Sequence, residues 1–101
     1  MKFEIKRKID KLGRIGIPID FRNYYEIKCG DTIVLLAIRN GIQIAKSDLF
    51  IPELTPKETT VSVDKLGRIV IPQAFRQFFN LKPQDTIHIV PNETCISIYK
   101  N

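Results

Sequence analysis

The chain has 101 residues, with 16 Lys and Arg against 11 Asp and Glu, a formal net charge of +5 and 44% hydrophobic residues. That length suits one compact domain or two very small ones and leaves no room for a separate substrate domain. The apolar fraction excludes wholesale disorder, and no apolar run approaches the roughly 20 residues of a membrane-spanning helix. The opening segment, Met1 to Lys8, is charged and lacks the apolar stretch of a secretory signal, so a cytoplasmic location is expected.

In chain order, residues 4–9 mix Ile5 and Ile9 with Lys6 and Lys8, the pattern of a half-buried strand. Asp10-Lys11-Leu12-Gly13 reads as a turn in which Gly13 is free to take positive φ. Arg14 to Ile17 is a second short strand. Pro18 ends it and suits the first turn of a helix over about 19–26, where Phe21 with Tyr24 or Tyr25 supplies the apolar face. Asp31 sits in the turn before the β-branched run Thr32–Ile38, Asn40-Gly41 is a two-residue hairpin signal, and Ile42–Lys46 closes the unit. Residues 47–59 carry Pro52 and Pro56 without a helical period, which reads as an extended connector. Leu49, Phe50, Ile51 and Leu54 are too apolar for a freely solvated tether, so it is expected to pack on the body.

The same order then begins again. Thr60–Val63 match the first strand, Asp64-Lys65-Leu66-Gly67 the turn, and Arg68–Ile71 the second strand. Pro72 and a helix over about 73–80 follow, with Phe75, Phe78 and Phe79 on its apolar face. Asp85, the run Thr86–Val90, a looser turn at Pro91-Asn92-Glu93 and a last strand Cys95–Lys100 complete it. At an offset of 54, residues 8–46 and 62–100 share 17 identities over 39 positions, where chance gives about one match in fifteen to twenty. The chain is therefore a duplication of one β-β-α-β-β unit. A unit of this size is too small to bury its own apolar faces, and the other copy is the obvious partner. The expected organisation is repeat 1 over 1–47, a connector over 48–58 and repeat 2 over 59–101, with both repeats in one compact, mainly β domain of approximate two-fold symmetry.

The motif Val/Ile-Asp-x-Leu-Gly-Arg-Ile-x-Ile-Pro-x-x-Phe-Arg, followed by Gly-Asp or Gln-Asp before a β run, occurs twice in register. It resembles the AbrB/SpoVT/MazE swapped-hairpin family across both copies. The resemblance implies a small β-barrel-like body in which hairpins are exchanged, here within one polypeptide as a pseudo-dimer. It also implies double-stranded DNA as partner and a role as a transcriptional regulator binding an imperfect palindrome.

The same resemblance marks Arg14 and Arg68, just after the turn glycines, as DNA contacts. Arginine suits bidentate contact with guanine or phosphate, although either could instead pair with Asp10 or Asp64 to brace its turn. Arg22 and Arg76 on the helices match a family position that often helps bind DNA, or else cover apolar surface with their stems. A second arginine often follows there in the family; this chain has Asn23 and Gln77, which can still hydrogen-bond to bases. Arg7 and Lys8 match the family's basic pair on the first strand and, with Lys2, Lys6 and Lys11, form a basic cluster. In the second copy Val61 and Ser62 replace the pair, and only Lys65 stands beside Arg68. Net charge runs +5 over residues 1–47, −2 over 48–56 and +2 over 57–101, so unequal halves are expected.

The competing reading is an antitoxin-like or protein-binding module that touches DNA weakly. The chain ends at Lys100-Asn101, directly after the last expected strand, so no toxin-wrapping tail is expected. Self-association remains open. An enzyme is not expected: no nucleophile–base pair, phosphate loop or metal cluster is patterned, His88 has no acid or nucleophile patterned around it, and Cys29 and Cys95 read as reduced, partly buried thiols. No cofactor, membrane or small-molecule substrate is implied.

Overall fold

The computed structural model describes residues 4–46 and 58–100; the connector expected over 48–58, and Lys2, lie outside the described residues apart from Glu58. The elements follow in the order β1 (Ile5–Lys8), β2 (Arg14–Gly16), α1 (Ile19–Tyr24), β3 (Thr32–Ile38), β4 (Gly41–Lys46), β5 (Glu58–Ser62), β6 (Arg68–Val70), α2 (Gln73–Phe78), β7 (Thr86–Pro91) and β8 (Ile96–Lys100). Six strands form one antiparallel sheet in the order β1-β7-β8-β4-β3-β5, and β2 and β6 form a separate antiparallel ribbon. The class is mainly β with two short helices, as expected.

The first strand of each copy pairs with the other copy. β1 lies on β7 with Lys8 opposite Thr86, and β5 lies on β3 with Ser62 opposite Thr32. Shifted by 54, these two registers are identical. The pseudo-two-fold axis passes between Ile15 and Ile69 in the ribbon and between Gln43 and Ser97 at the β4–β8 seam. Backbone bonds extend the exchange past the strand ends: Ile9 N–H donates to Asp85 O at 3.1 Å and Val63 N–H to Asp31 O at 3.0 Å. β2 runs against β1, and β6 against β5, so the ribbon spans between the two edges of the sheet.

The core is one cluster drawn from both copies. Ile9, Ile15, Phe21, Ile33 and Leu35 of the first meet Ile69, Ile71, Ile87, Ile89 and Ile96 of the second, each at most 1% exposed. Isoleucine dominates because its branched Cβ fits a pleated sheet surface buried on one face.

Four local differences from the sequence reading are seen, and the first three have physical causes. The helices end at Tyr24 and Phe78, two residues early, because Glu26 and Asn80 both take φ of 55° and turn the chain out of the helix. Each aromatic pair then splits: Tyr25 and Phe79 pack on the core while Tyr24 and Phe78 are 56% and 55% exposed. The hairpin between β3 and β4 turns on Arg39-Asn40, not Asn40-Gly41, since Gly41 already pairs with Ile38. Glycine is required at 41 by close approach, because a Cβ there would stand 2.2 Å from Ile98 O and 2.8 Å from the Tyr99 ring. Both cysteines are unpaired, and Cys29 is exposed rather than partly buried. No helix among the described residues is long and apolar enough to cross a membrane.

Candidate functional site

Each Asp-x-Leu-Gly-Arg turn is a closed hydrogen-bonded unit. Asp10 Oδ1 accepts from the Leu12 and Arg14 amides at 2.9 and 2.8 Å, and Oδ2 accepts from Arg14 Nε at 2.6 Å. Asp64 does the same with Leu66, Arg68 and Arg68 Nε at 2.9, 2.8 and 2.8 Å. The bracing alternative for the turn arginines is thus realised, but it occupies only Nε. Among the described residues none accepts from the terminal guanidinium nitrogens of Arg14 or Arg68, and both side chains are about a third exposed.

The backbone amide of Arg14 holds the Asp10 carboxyl below the usual carboxylate range, with the Arg14 side chain adding to the effect; Asp64 is held down in the same way by Arg68. Asp85 is held down chiefly by the Lys82 amide. A folded-state value below the unfolded one means that the unfolded chain takes up protons first as pH falls. The stabilisation is fully present above the unfolded carboxylate value of about 4 and is lost as pH falls through the lower folded value. Urea midpoints should therefore drop below about pH 4, and Asp10→Asn with Asp64→Asn should flatten that drop. A wild-type midpoint independent of pH between 5 and 2 would contradict this.

The ribbon register brings the two turn arginines together. Arg14 lies opposite Val70 and Arg68 opposite Gly16, while Ile15 and Ile69 point inward. Arg14 and Arg68 therefore share the outer face as diagonal neighbours across the pseudo-two-fold axis, with Cα atoms about 7–8 Å apart.

Arg22 and Arg76 are likewise held through Nε alone, with no acceptor for their terminal nitrogens among the described residues. Arg22 Nε donates to Ile17 O at 2.9 Å and Arg76 Nε to Ile71 O at 2.8 Å. Each guanidinium also covers the turn glycine of the other copy, Arg22 on Gly67 and Arg76 on Gly13. The turn carrying Lys11 and Arg14 is thus backed by Arg76, and the turn carrying Lys65 and Arg68 by Arg22. Asn23 and Gln77 are exposed on the helices.

Lys6, Arg7 and Lys8 are exposed on β1, one edge of the sheet. Val61 and Ser62 occupy the matching places on β5, the opposite edge. Lys11 and Lys65 are exposed at the turn tips. Arg7 and Lys8, which point to opposite faces of β1, precede Lys11 and the turn of Arg14 in the chain, and the matching stretch of the other copy has Lys65 and Arg68 as its cations.

Leu12 and Leu66, 63% and 68% exposed, were missed by sequence reasoning. The signal was an identical apolar residue inside both polar turns, where no core is within reach. Lys46 and Lys100, the last identity of the repeat, tie down the chain after each helix, donating to Glu26 O at 2.9 Å and Asn80 O at 2.6 Å. His88 contacts the Glu4 carboxylate, its buried Nε2 has no hydrogen-bond partner among the described residues, and no group of three or more His, Cys, Asp or Glu among them is placed to hold a metal ion.

Residues 54–101 match a family model described as "MraZ protein, putative antitoxin-like". Among solved structures the chain is similar to the solution structure of PHS018 from Pyrococcus horikoshii, at 22% identity and a TM-score of 0.56, covering 97% of this chain and 92% of that one. The likeness shows the fold. A search of curated proteins found no match.

Proposed function

We propose that this protein is a double-stranded-DNA-binding transcriptional regulator of the AbrB type, reading an imperfect palindrome through one pseudo-symmetric surface. The observation that carries the reading is the placement of Arg14 and Arg68 on one exposed face of the β2–β6 ribbon, related by the pseudo-two-fold axis, with their terminal guanidinium nitrogens unused among the described residues. A dyad-related pair of arginines suits the dyad of a palindromic duplex, and planar guanidinium forks fit guanine edges and phosphates. In this reading repeats 1–47 and 59–101 act as one domain joined by the connector 48–58. Arg14 and Arg68 contact bases or central phosphates. Lys11 and Lys65 contact flanking phosphates, and Arg7 and Lys8 extend the contact on one side only. Arg22 and Arg76 position the turns through the glycines they cover, and Asn23 and Gln77 lie at the periphery. The resemblance to the swapped-hairpin family and the MraZ match over 54–101 support it.

The antitoxin-like reading rests on the wording of that match, beside which Leu12, Leu66 and Tyr24 are individually exposed apolar side chains. A gel-shift or anisotropy series from 50 to 300 mM salt separates the two. The regulator reading expects log K to fall with log salt at a slope of roughly −0.9 per phosphate neutralised, so about −4 to −6 for five or six cations. No binding to any duplex at about 50 mM salt would overturn it.

A further inference from the structure

One cleft of about 320 Å³ lies away from the ribbon, between the β3–β4 hairpin of the first copy and the α2–β7 segment and β8 of the second. Its floor is apolar: Ile42, Leu81, Ile87 and Ile98 are buried, with Phe79 and Tyr99 as walls. Arg39, Asn40 and Lys100 form the polar lip. The volume is at the small end of ordinary ligand sites.

The internal repeat supplies a control within the same molecule. At the pseudo-symmetric place Tyr25 replaces Phe79, and its hydroxyl donates to Asn92 O, tying the end of α1 to the opposing hairpin. Phe79 has no hydroxyl to make that tie. Cys95 there replaces Gly41 and Glu93 replaces Arg39. The lip charges differ accordingly. Lys100 is neutralised by Asp85 at 3.3 Å, as Lys46 is by Asp31 at 3.7 Å. Arg39 is exposed and has no ion pair among the described residues. Among the described residues the open cleft therefore carries one positive charge without an ion pair, at Arg39, and its counterpart one negative charge without an ion pair, at Glu93.

From this asymmetry we infer that the Phe79–Tyr99 cleft binds a small organic monoanion with a short or flat apolar body, of the aryl-alkyl carboxylate class, its carboxylate at Arg39 and its apolar end on Ile42 and Leu81. The inference goes beyond the DNA reading and does not depend on it. Titration of the ¹⁵N-labelled full chain with 4-phenylbutyrate, 4-phenylbutanol and 4-phenylbutylamine tests it by NMR. The carboxylate should give saturable shifts at residues 39–42, 79–81 and 99–100. The alcohol should bind about fivefold more weakly, the worth of one partly screened charge contact, and the amine more weakly again. Arg39→Glu, an exposed change that leaves the packing intact, should weaken phenylbutyrate by at least about tenfold and favour the amine, since it reverses the charge rather than removing it. Phe79→Tyr should weaken all three by restoring the phenolic tie. Absence of saturable shifts, equal shifts at residues 93–95, or carboxylate binding unchanged by Arg39→Glu would each overturn the inference.

Discussion

Gly13→Ala and Gly67→Ala should each destabilise the protein by about 2.5–5 kcal/mol, more than Gly30→Ala. Two costs combine. Gly13 has φ of 80° and Gly67 of 76°, a region that costs an L residue about 1–2 kcal/mol. The added methyl would also stand 2.7 Å from Arg76 Nε at Gly13 and 2.4 Å from Arg22 Cζ at Gly67. The displaced guanidinium would give up its bond to the Ile71 or Ile17 carbonyl, a charge-assisted bond worth about 1.5–3 kcal/mol. Gly30 provides the reference. Its φ is 85°, yet nothing lies within 4 Å of an added Cβ, so Gly30→Ala should carry the backbone cost alone. Urea denaturation of the three variants measures the difference. In an Arg76→Ala background the excess cost of Gly13→Ala over Gly30→Ala should vanish, which is the signature of a direct contact in a double-mutant cycle. Equal costs at positions 13 and 30 would refute the assignment of Arg22 and Arg76 as braces.

Replacing both Arg14 and Arg68 by Ala should weaken duplex binding by roughly 10² or more, since each guanidinium contact to a base contributes about 1–3 kcal/mol. The single losses should be unequal. On the proposed DNA reading, Arg14 is preceded in the chain by Arg7, Lys8 and Lys11 and Arg68 by Lys65 alone, so a half-site read by Arg68 would depend more heavily on one side chain. Each substitution also frees a carboxylate, Asp10 or Asp64, that its arginine had partly neutralised, adding repulsion from phosphate. The Asp10→Asn/Arg14→Ala variant separates that repulsion from the lost contact. Neutralising Arg7 and Lys8 should instead leave sequence preference in place and reduce the salt slope by about 2. Equal losses from Arg14→Ala and Arg68→Ala, with no change in half-site preference, would remove the case for unequal halves.

Much of the fold was legible because the chain states it twice. The alternation at Ile5 and Ile9, the turn glycines, the prolines before the helices and the β-branched runs each occur in both copies, and each element appears within about two residues of its expected place. Other features were not legible. That Arg22 and Arg76 back the turn glycines was not legible, because each glycine belongs to the other copy. Tyr24 and Tyr25 could not be told apart because their helix is too short for a clear period, and the left-handed Glu26 decides which ring turns inward.

The sequence by itself determined the elements, the duplication, the mainly β class and the uneven charge, because these depend on local propensity and on counting. Tertiary structure alone decided that β1 pairs with β7 and β5 with β3. Corresponding strands of the two copies could pair within a copy or across copies, and the observed cross-copy pairing is the one that closes the shared isoleucine core. It alone also decided that Arg14 and Arg68, 54 positions apart in the chain, stand side by side on one exposed face. Antiparallel register across the pseudo-two-fold axis sets that proximity, and register exists only once both copies have folded together.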